Sequence, residues 1–406
     1  MRNMKKAALI LGCMLLVGGC AKAQSTSVES STAASAQSEV STEAKSLESS
    51  EAAQGEKTIK DVRGREVTIK LPVKTAYYPY YYENLLTICG EDIFEKITCT
   101  SFYDTEYYSK TMWDIMMEKT PGFKDMQDVG STLKDNFDTE KLISLKPDVA
   151  IFANYQYENI GENNIKAIEA AGIPVIFIDY TDLSEEAHYE STRVLGEIFG
   201  KEERAQELID NYKTKMEEIR KVAATIPEED KKTVYIELRF NTDNFKEYGK
   251  TYGNHMMGML AKEAGAINIY EGVYEKYGDA EPEYLFSKNP YAIFLEGGNF
   301  TGENMVSIKT GYTTDEATTQ ETLSQLIAAR DGWDQLEAVK EKRVYALDND
   351  IMRTLHDYVL IEYIGKALYP EVFKDFDPVK EQKEFIEKYL PQLPSDSTFM
   401  TQWEGK

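Results

Sequence analysis

The 406-residue chain sets 46 basic against 70 acidic residues, a formal net charge of −24, with 42% hydrophobic and 11% aromatic residues. That length holds two domains with cores of their own. The acidity argues against a nucleic-acid partner and against electrostatic adhesion to anionic lipid, since both would be repelled.

Residues 1–6 are basic, 7–17 apolar, and Gly18-Gly19-Cys20 follows. This is the layout of a secretory signal over residues 1–19, and its apolar run is too short to span a bilayer. Removing it leaves 43 basic and 70 acidic residues, a net −27. Residues 20–56 then run in Ser, Thr, Ala, Glu and Gln with almost no large apolar side chain. Such a stretch buries too little to offset its chain entropy and is expected to be a disordered tether.

The folded part is expected to open at residue 57 with a hairpin turning at Arg63-Gly64. Strands at 73–78, 96–100, 149–153 and 174–179 alternate with helices at 83–89, 137–145 and 165–171, which predicts a parallel sheet with right-handed crossovers in a first lobe, 57–200. Helical residues 184–199 lead into a longer helix, 202–224, whose apolar stripe is Ala205, Leu208, Ile209, Tyr212, Met216 and Ile219. This is the candidate connector, 201–226. Beyond Pro227 the alternation restarts as a second lobe, 227–380. Its strands are expected at 233–238, 291–295 and 343–347, and its helices at 256–264, 282–287, 321–328 and 354–369. A polar stretch, 299–320, has no assigned role, and residues 381–406 read as a C-terminal tail.

One unit occurs twice. Glu140 opens a short helix that ends at Pro147 before the apolar run 149–152, and Glu283 opens another that ends at Pro290 before 291–295. A carboxylate suits the free N–H groups of a helix start, and a continuous apolar run suits a strand covered on both faces. The fold class is therefore α/β: two lobes, each a parallel-sheet sandwich, joined by one long rigid helix.

In open α/β sheets ligands bind beyond the carboxyl ends of the strands. That rule selects Tyr80, Tyr81 and Tyr82, then Tyr103, then Tyr155, with Tyr180 after the fourth strand. A tyrosine ring offers area to a flat aromatic or macrocyclic ligand, and its hydroxyl a hydrogen bond or an Fe(III) ligand. With 27 tyrosines in the chain a single one says little, but three in succession point to a cleft. In the second lobe the rule selects Arg239, His255, Glu296 and Arg353. The arginines suit carboxylate or catecholate oxygens. His255, one of three histidines with His188 and His356, reads either as an iron ligand or as an ordinary polar residue at a helix start. Three scattered histidines do not make a site for a bare Zn or Mn ion. Cys89 and Cys99 read either as buried free thiols or as a disulfide of an exported domain. No Gly-x-Ser-x-Gly, His-Glu-x-x-His or Cys-His arrangement appears, so an exported enzyme is the weakest reading.

Ten stretches in order resemble the substrate-binding lipoproteins of ABC importers for ferric siderophores, haem and cobalamin. They are Asp61-Val-Arg-Gly-Arg-Glu-Val67, Asp128-Val-Gly130, residues 140–152, Ala171-Gly-Ile-Pro-Val-Ile-Phe-Ile-Asp179, Leu195-Gly-Glu-Ile-Phe-Gly-Lys201 with Ala205, Ala264-Gly-Ala-Ile-Asn268, residues 283–295, Trp333-Asp-Gln-Leu-Glu-Ala-Val-Lys340, Arg343-Val-Tyr-Ala-Leu347 and Tyr369-Pro-Glu-Val-Phe373. Together they span about residues 58–373, and Val17-Gly-Gly-Cys20 resembles a lipobox in which Cys20 carries lipid. The resemblance implies the class III periplasmic-binding fold and a monomer, lipid-anchored outside the cytoplasm, that holds an iron complex between its lobes. It implies a permease and, through it, an ATPase as partners, no covalent group besides the lipid, and Glu140 and Glu283 as permease-docking residues. Glu281 competes with Glu283 for that role. Haem or cobalamin as ligand, and a non-transport adhesin or sensor, remain the alternatives. The selected first-lobe loops carry no Lys or Arg, unlike the family's catecholate binders, which argues against a highly anionic ligand.

Overall fold

The computed structural model describes residues 55–108, 110–238, 244–300 and 306–405. The signal segment, Cys20, the tether up to residue 54 and Arg239 lie outside the described residues; the last two residues assigned to the tether, Gly55 and Glu56, instead open the first strand.

The hairpin forms as expected from β1 (Gly55–Lys60) and β2 (Glu66–Leu71), with Ile59 paired to Val67. Asp61 holds its turn: one carboxylate oxygen accepts from the amides of Arg63 and Arg65, each at 3.0 Å. The first-lobe sheet contains β3 (Ala76–Tyr77), β4 (Ile97–Thr100), β5 (Gln127–Asp128), β6 (Val149–Ala153) and β7 (Val175–Ile178). Their order is β5-β4-β3-β6-β7 and every pairing is parallel. The chain runs outward in one direction from β3 and in the other from β6, so the strand order reverses between these two. β3 is shorter than the expected 73–78 because the amides of Lys74 and Thr75 donate to the Asp148 carboxylate, at 2.8 and 3.0 Å, instead of joining the ladder.

Helices Glu185–Phe199 and Glu202–Ala223 follow, hinged at Gly200, whose φ is 67°. All six residues of the expected stripe on the second helix are buried. One face of its centre is tied to the second lobe, where Tyr212 Oη donates to Asp357 at 2.6 Å.

The second-lobe sheet contains β8 (Thr233–Leu238), β9 (Lys250–Tyr252), β10 (Ile267–Asn268), β11 (Tyr277–Asp279), β12 (Ala292–Gly297), β13 (Val344–Asp348) and β14 (Met400–Gln402). Its path is β11-β9-β8-β12-β13-β14 with β10 also beside β8. β8, β12 and β13 form the expected parallel centre; β9, β11 and β14 are antiparallel and were not legible as strands.

Residues 381–406 are not a loose tail. Asp377 caps a helix, Pro378–Tyr389, by accepting from the Lys380 amide, and proline at its first position is pre-set for that turn. Phe385 and Ile386 are buried, Phe385 stacks on His356 with centroids 4.2 Å apart, and β14 completes the sheet. The cysteines are separate: Cys89 and Cys99 are buried free thiols, each pushed up to about 12 by burial.

The repeat is a structural one. Helices Thr139–Leu145 and Pro282–Lys288 match residue for residue: acidic N-caps Asp138 and Glu281, left-handed C-caps Lys146 (φ 49°) and Asn289 (φ 40°), then Pro147 and Pro290, then β6 and β12. A left-handed residue, rather than the proline itself, stops each helix, because the residue before proline is excluded from the right-handed region.

Candidate functional site

A cavity of about 620 Å³ opens at the carboxyl ends of both sheets. From the first lobe Tyr80 enters it after β3 and Tyr155 after β6, the two strands between which the order reverses. Their rings meet edge to face, centroids 5.7 Å apart at 90°. From the second lobe come Tyr252 at the end of β9, His255 beyond it, and Arg353 beyond β13. Four of the residues selected from sequence, Tyr80, Tyr155, His255 and Arg353, thus converge on one space.

The others are placed differently. Tyr81 packs its ring on Tyr80 in a tilted contact, centroids 4.3 Å apart, and hydrogen-bonds Thr181, bordering a smaller pocket of about 50 Å³ with Tyr82 and Glu83. Tyr82 is a core residue: its hydroxyl lies 2.6 Å from the Tyr78 carbonyl and the Thr100 hydroxyl, and its ring packs on Phe94 and Phe123. Tyr103 does not line the cleft but stacks, centroids 5.3 Å apart, on Tyr107, which does. Glu296 is fully buried behind the wall, accepting from Tyr252 Oη at 3.1 Å.

Sequence reasoning missed Tyr107, Tyr248, Tyr277 and Lys276, all cleft-lining, together with Tyr252. Tyr107 follows Tyr103 by one helical turn and was within reach of the i, i+4 rule. The second-lobe tyrosines sit on or beside the short antiparallel strands, which leave no strong alternation to read. In all, six tyrosines surround the cavity.

Burial sets the charges. Arg353 is 9% exposed, and its Nη2 donates to the Asn349 carbonyl and side-chain oxygen at 3.2 and 3.1 Å. Burial raises Tyr80 to about 12, Arg353 opposing, so the phenol is neutral at physiological pH. Burial and then Lys276 lower His255, which leaves a neutral imidazole facing the cavity. Lys250 at the rim is paired with Asp279 at 2.9 Å. Three non-glycine residues lining the cavity or the smaller pocket have positive φ: Tyr81 (φ 58°), Met256 (φ 50°, ψ −126°) and Arg353 (φ 71°). Each such residue costs about 1–3 kcal/mol, and such strain persists where the surrounding structure fixes a functional geometry.

Across the base of the cleft the lobes are joined by Glu83 and Asn84. Glu83 Oε1 lies 3.4 Å from His356 Nε2. Burial and then Asp350 raise Glu83 to about 8, and burial lowers His356 to about 3, so both are neutral near pH 7 and the contact is not an ion pair. Among the described residues, no group of three or more His, Cys, Asp or Glu is placed to hold a metal ion, and no helix is long and apolar enough to cross a membrane. Glu140 and Glu283 are exposed in the first turns of their matched helices, while Glu281 matches Asp138 and not Glu140.

The family profile described as "Periplasmic binding protein" matches residues 106–351. An uncharacterized ABC transporter substrate-binding lipoprotein of Bacillus subtilis, YvrC, is 27% identical over 243 residues, 59% of this chain and 68% of that one. The crystal structure of the TroA-like periplasmic binding protein FepB from Veillonella parvula superposes with a TM-score of 0.79 at 29% identity, covering 86% of this chain and 99% of that one. MolA of Haemophilus influenzae, a molybdate-binding protein, is 22% identical over 280 residues, 62% of this chain and 69% of that one. Its molybdate-bound structure shares the fold at a TM-score of 0.60, covering 82% of this chain and 98% of that one, at 18% identity.

Proposed function

This chain belongs to the periplasmic binding protein family, and from that premise we propose that it captures an iron complex of the siderophore type between its lobes and hands it to a permease. The coarser role follows from the family, which is one of substrate-binding proteins and not of enzymes: it is the solute-binding component of an ABC transporter, acts outside the cytoplasm and works with a permease and an ATPase. The observation that carries the finer reading is the wall of six tyrosines around Arg353 in a space of about 620 Å³. Aromatic walls supply area to flat ligands, and a single recessed guanidinium supplies an anchor for their oxygens. Haem and corrinoids share that shape and stand next. A small oxyanion such as molybdate, the ligand of MolA, would engage Arg353 and leave most of the tyrosine wall without contact.

Two further assignments belong to this reading. Cys20 carries the lipid that anchors the chain, supported by the lipoprotein description of the Bacillus relative. Glu140 and Glu283 dock on the permease, supported by their exposure and matched register on the two lobes.

The test is a tryptophan-fluorescence titration with haemin, several ferric siderophores, cobalamin and molybdate. Trp333 reports on the cleft because its Nε1 donates to the hydroxyl of cleft-lining Tyr248 at 2.7 Å. Saturable quenching by a ferric complex supports the reading; a response to molybdate alone overturns it.

A further inference from the structure

Two buried glutamates occupy neighbouring strands of the second-lobe sheet, and their surroundings differ. Glu237 on β8 is saturated: Arg330 donates to both its oxygens at 2.5 and 2.6 Å, Tyr235 Oη donates at 2.9 Å and the Gly249 amide at 2.8 Å. Such a set stabilises an ionised carboxylate. Glu296 on β12 is also fully buried, but only Tyr252 Oη reaches its Oε2, at 3.1 Å, and Oε1 has no hydrogen-bond partner among the described residues.

The charged and titratable groups facing Glu296 come from two neighbouring elements: Tyr252 from β9, and Arg353 and Asp350 from the loop after β13. Burial outweighs Arg353 and raises the Glu296 carboxyl to about 8. Arg353 in turn faces Tyr80, Tyr252, Glu296 and Tyr81, and it lines the cleft.

We propose that Glu296 carries a proton while the cleft is empty at neutral pH and thereby sets the charge that Arg353 presents to a bound anionic group, so that capture of an anion from alkaline solution, where this carboxyl has ionised, restores its proton. The inference rests on the reading of the cleft as the ligand site. With Glu296 protonated the pair shows the cleft one full positive charge; with Glu296 ionised the pair is neutral overall. An anion placed on Arg353 therefore raises the affinity of Glu296 for its proton, and linkage requires protonation to strengthen anion binding by the same factor. Affinity for an anion is flat below pH about 8 and falls above it by up to about tenfold per pH unit, the slope of one linked proton. Glu296→Gln, which matches the protonated side chain in shape, removes that slope.

The experiment has two arms on the purified full chain. Without ligand, infrared difference spectra between wild type and Glu296→Gln isolate this carboxyl from the others. A protonated C=O band lost as pH passes through about 8 is expected, and a carboxylate already ionised at neutral pH overturns the inference. With haemin and with molybdate as anionic probes, calorimetry near pH 8 in two buffers of different ionisation heat reads the protons exchanged. Uptake of up to about half a proton in wild type, the share that a carboxyl at its midpoint lacks, and none in Glu296→Gln supports the coupling; equal exchange in both overturns it. If neither probe binds, the coupling falls with the reading of the cleft, and the infrared band shows that the failure lies in the ligand and not in the proton.

Discussion

Asn84 on the first lobe clasps the backbone of Arg353 on the second: its amide donates to the Arg353 carbonyl at 2.7 Å, and its oxygen accepts from the Leu355 amide at 3.0 Å. One neutral side chain thus satisfies two buried backbone groups of the other lobe. The residue it steadies is the one that turns a guanidinium into the cleft.

Replacing Asn84 by Leu leaves a buried carbonyl and a buried N–H without partners, at about 1–3 kcal/mol each. The expected outcome is a lower denaturation midpoint together with weaker ligand binding, because the Arg353 backbone loses its clasp. Denaturant titration and a binding isotherm on the same variant check both; unchanged affinity in a destabilised variant would separate the clasp from the site.

Arg353 has a positive φ of 71°, a conformation that costs a non-glycine residue about 1–3 kcal/mol. Arg353→Gly and Arg353→Ala remove the same charge, but only the first relieves that conformation. Both should lose ligand affinity by about tenfold or more, the scale of one charge-assisted hydrogen bond. The glycine variant should melt at a higher temperature than the alanine variant, and equal melting would show that the backbone is not strained.

The Glu83–His356 contact predicts the pH profile of stability. Glu83 rises from 4.5 to about 8 on folding, so the stability linked to its proton is fully present below pH 4.5 and is lost as pH rises through about 8. His356 falls from 6.5 to about 3, so its contribution is present above pH 6.5 and is lost as pH falls through about 3. Thermal melts across this range should decline on both sides. Glu83→Gln should make the alkaline decline shallower, the buried Glu296 still contributing to it, and leave the acid side in place.

Reversing the charge of Glu140 and Glu283 together should leave ligand affinity intact and abolish uptake in cells, because both residues are exposed and neither lines the cleft. Loss of affinity in the purified variant would sink the docking role. Cys20→Ala should move the chain from the membrane to the soluble fraction, which cell fractionation and blotting read directly.

The strongest periodicities were the ones the sequence exposed. The six-residue stripe of the long helix and the apolar runs 149–153 of β6 and 292–295 of β12 carry their burial in their spacing. The repeat places Glu140 and Glu283 in the same register by sequence alone, and the rule for strand ends selects Tyr80, Tyr155, His255 and Arg353, which line the cleft. Tyr82 and Glu296 satisfied the same rule and yet belong to the core, since the rule locates a loop but not the direction of each side chain within it. Strands β9, β11 and β14 escaped because three residues cannot display an alternation.

Local order, element type and the duplicated unit were thus determined by the chain alone, because they depend on neighbours within a few residues. The pairing of Asn84 with Arg353, the neutral contact of Glu83 with His356 and the isolation of Glu296 beside Arg353 join positions hundreds of residues apart, or a strand to a distant loop. Only the tertiary structure decided them, because protonation and hydrogen bonding in a buried site depend on which groups exclude water there, and that is a property of the packed fold.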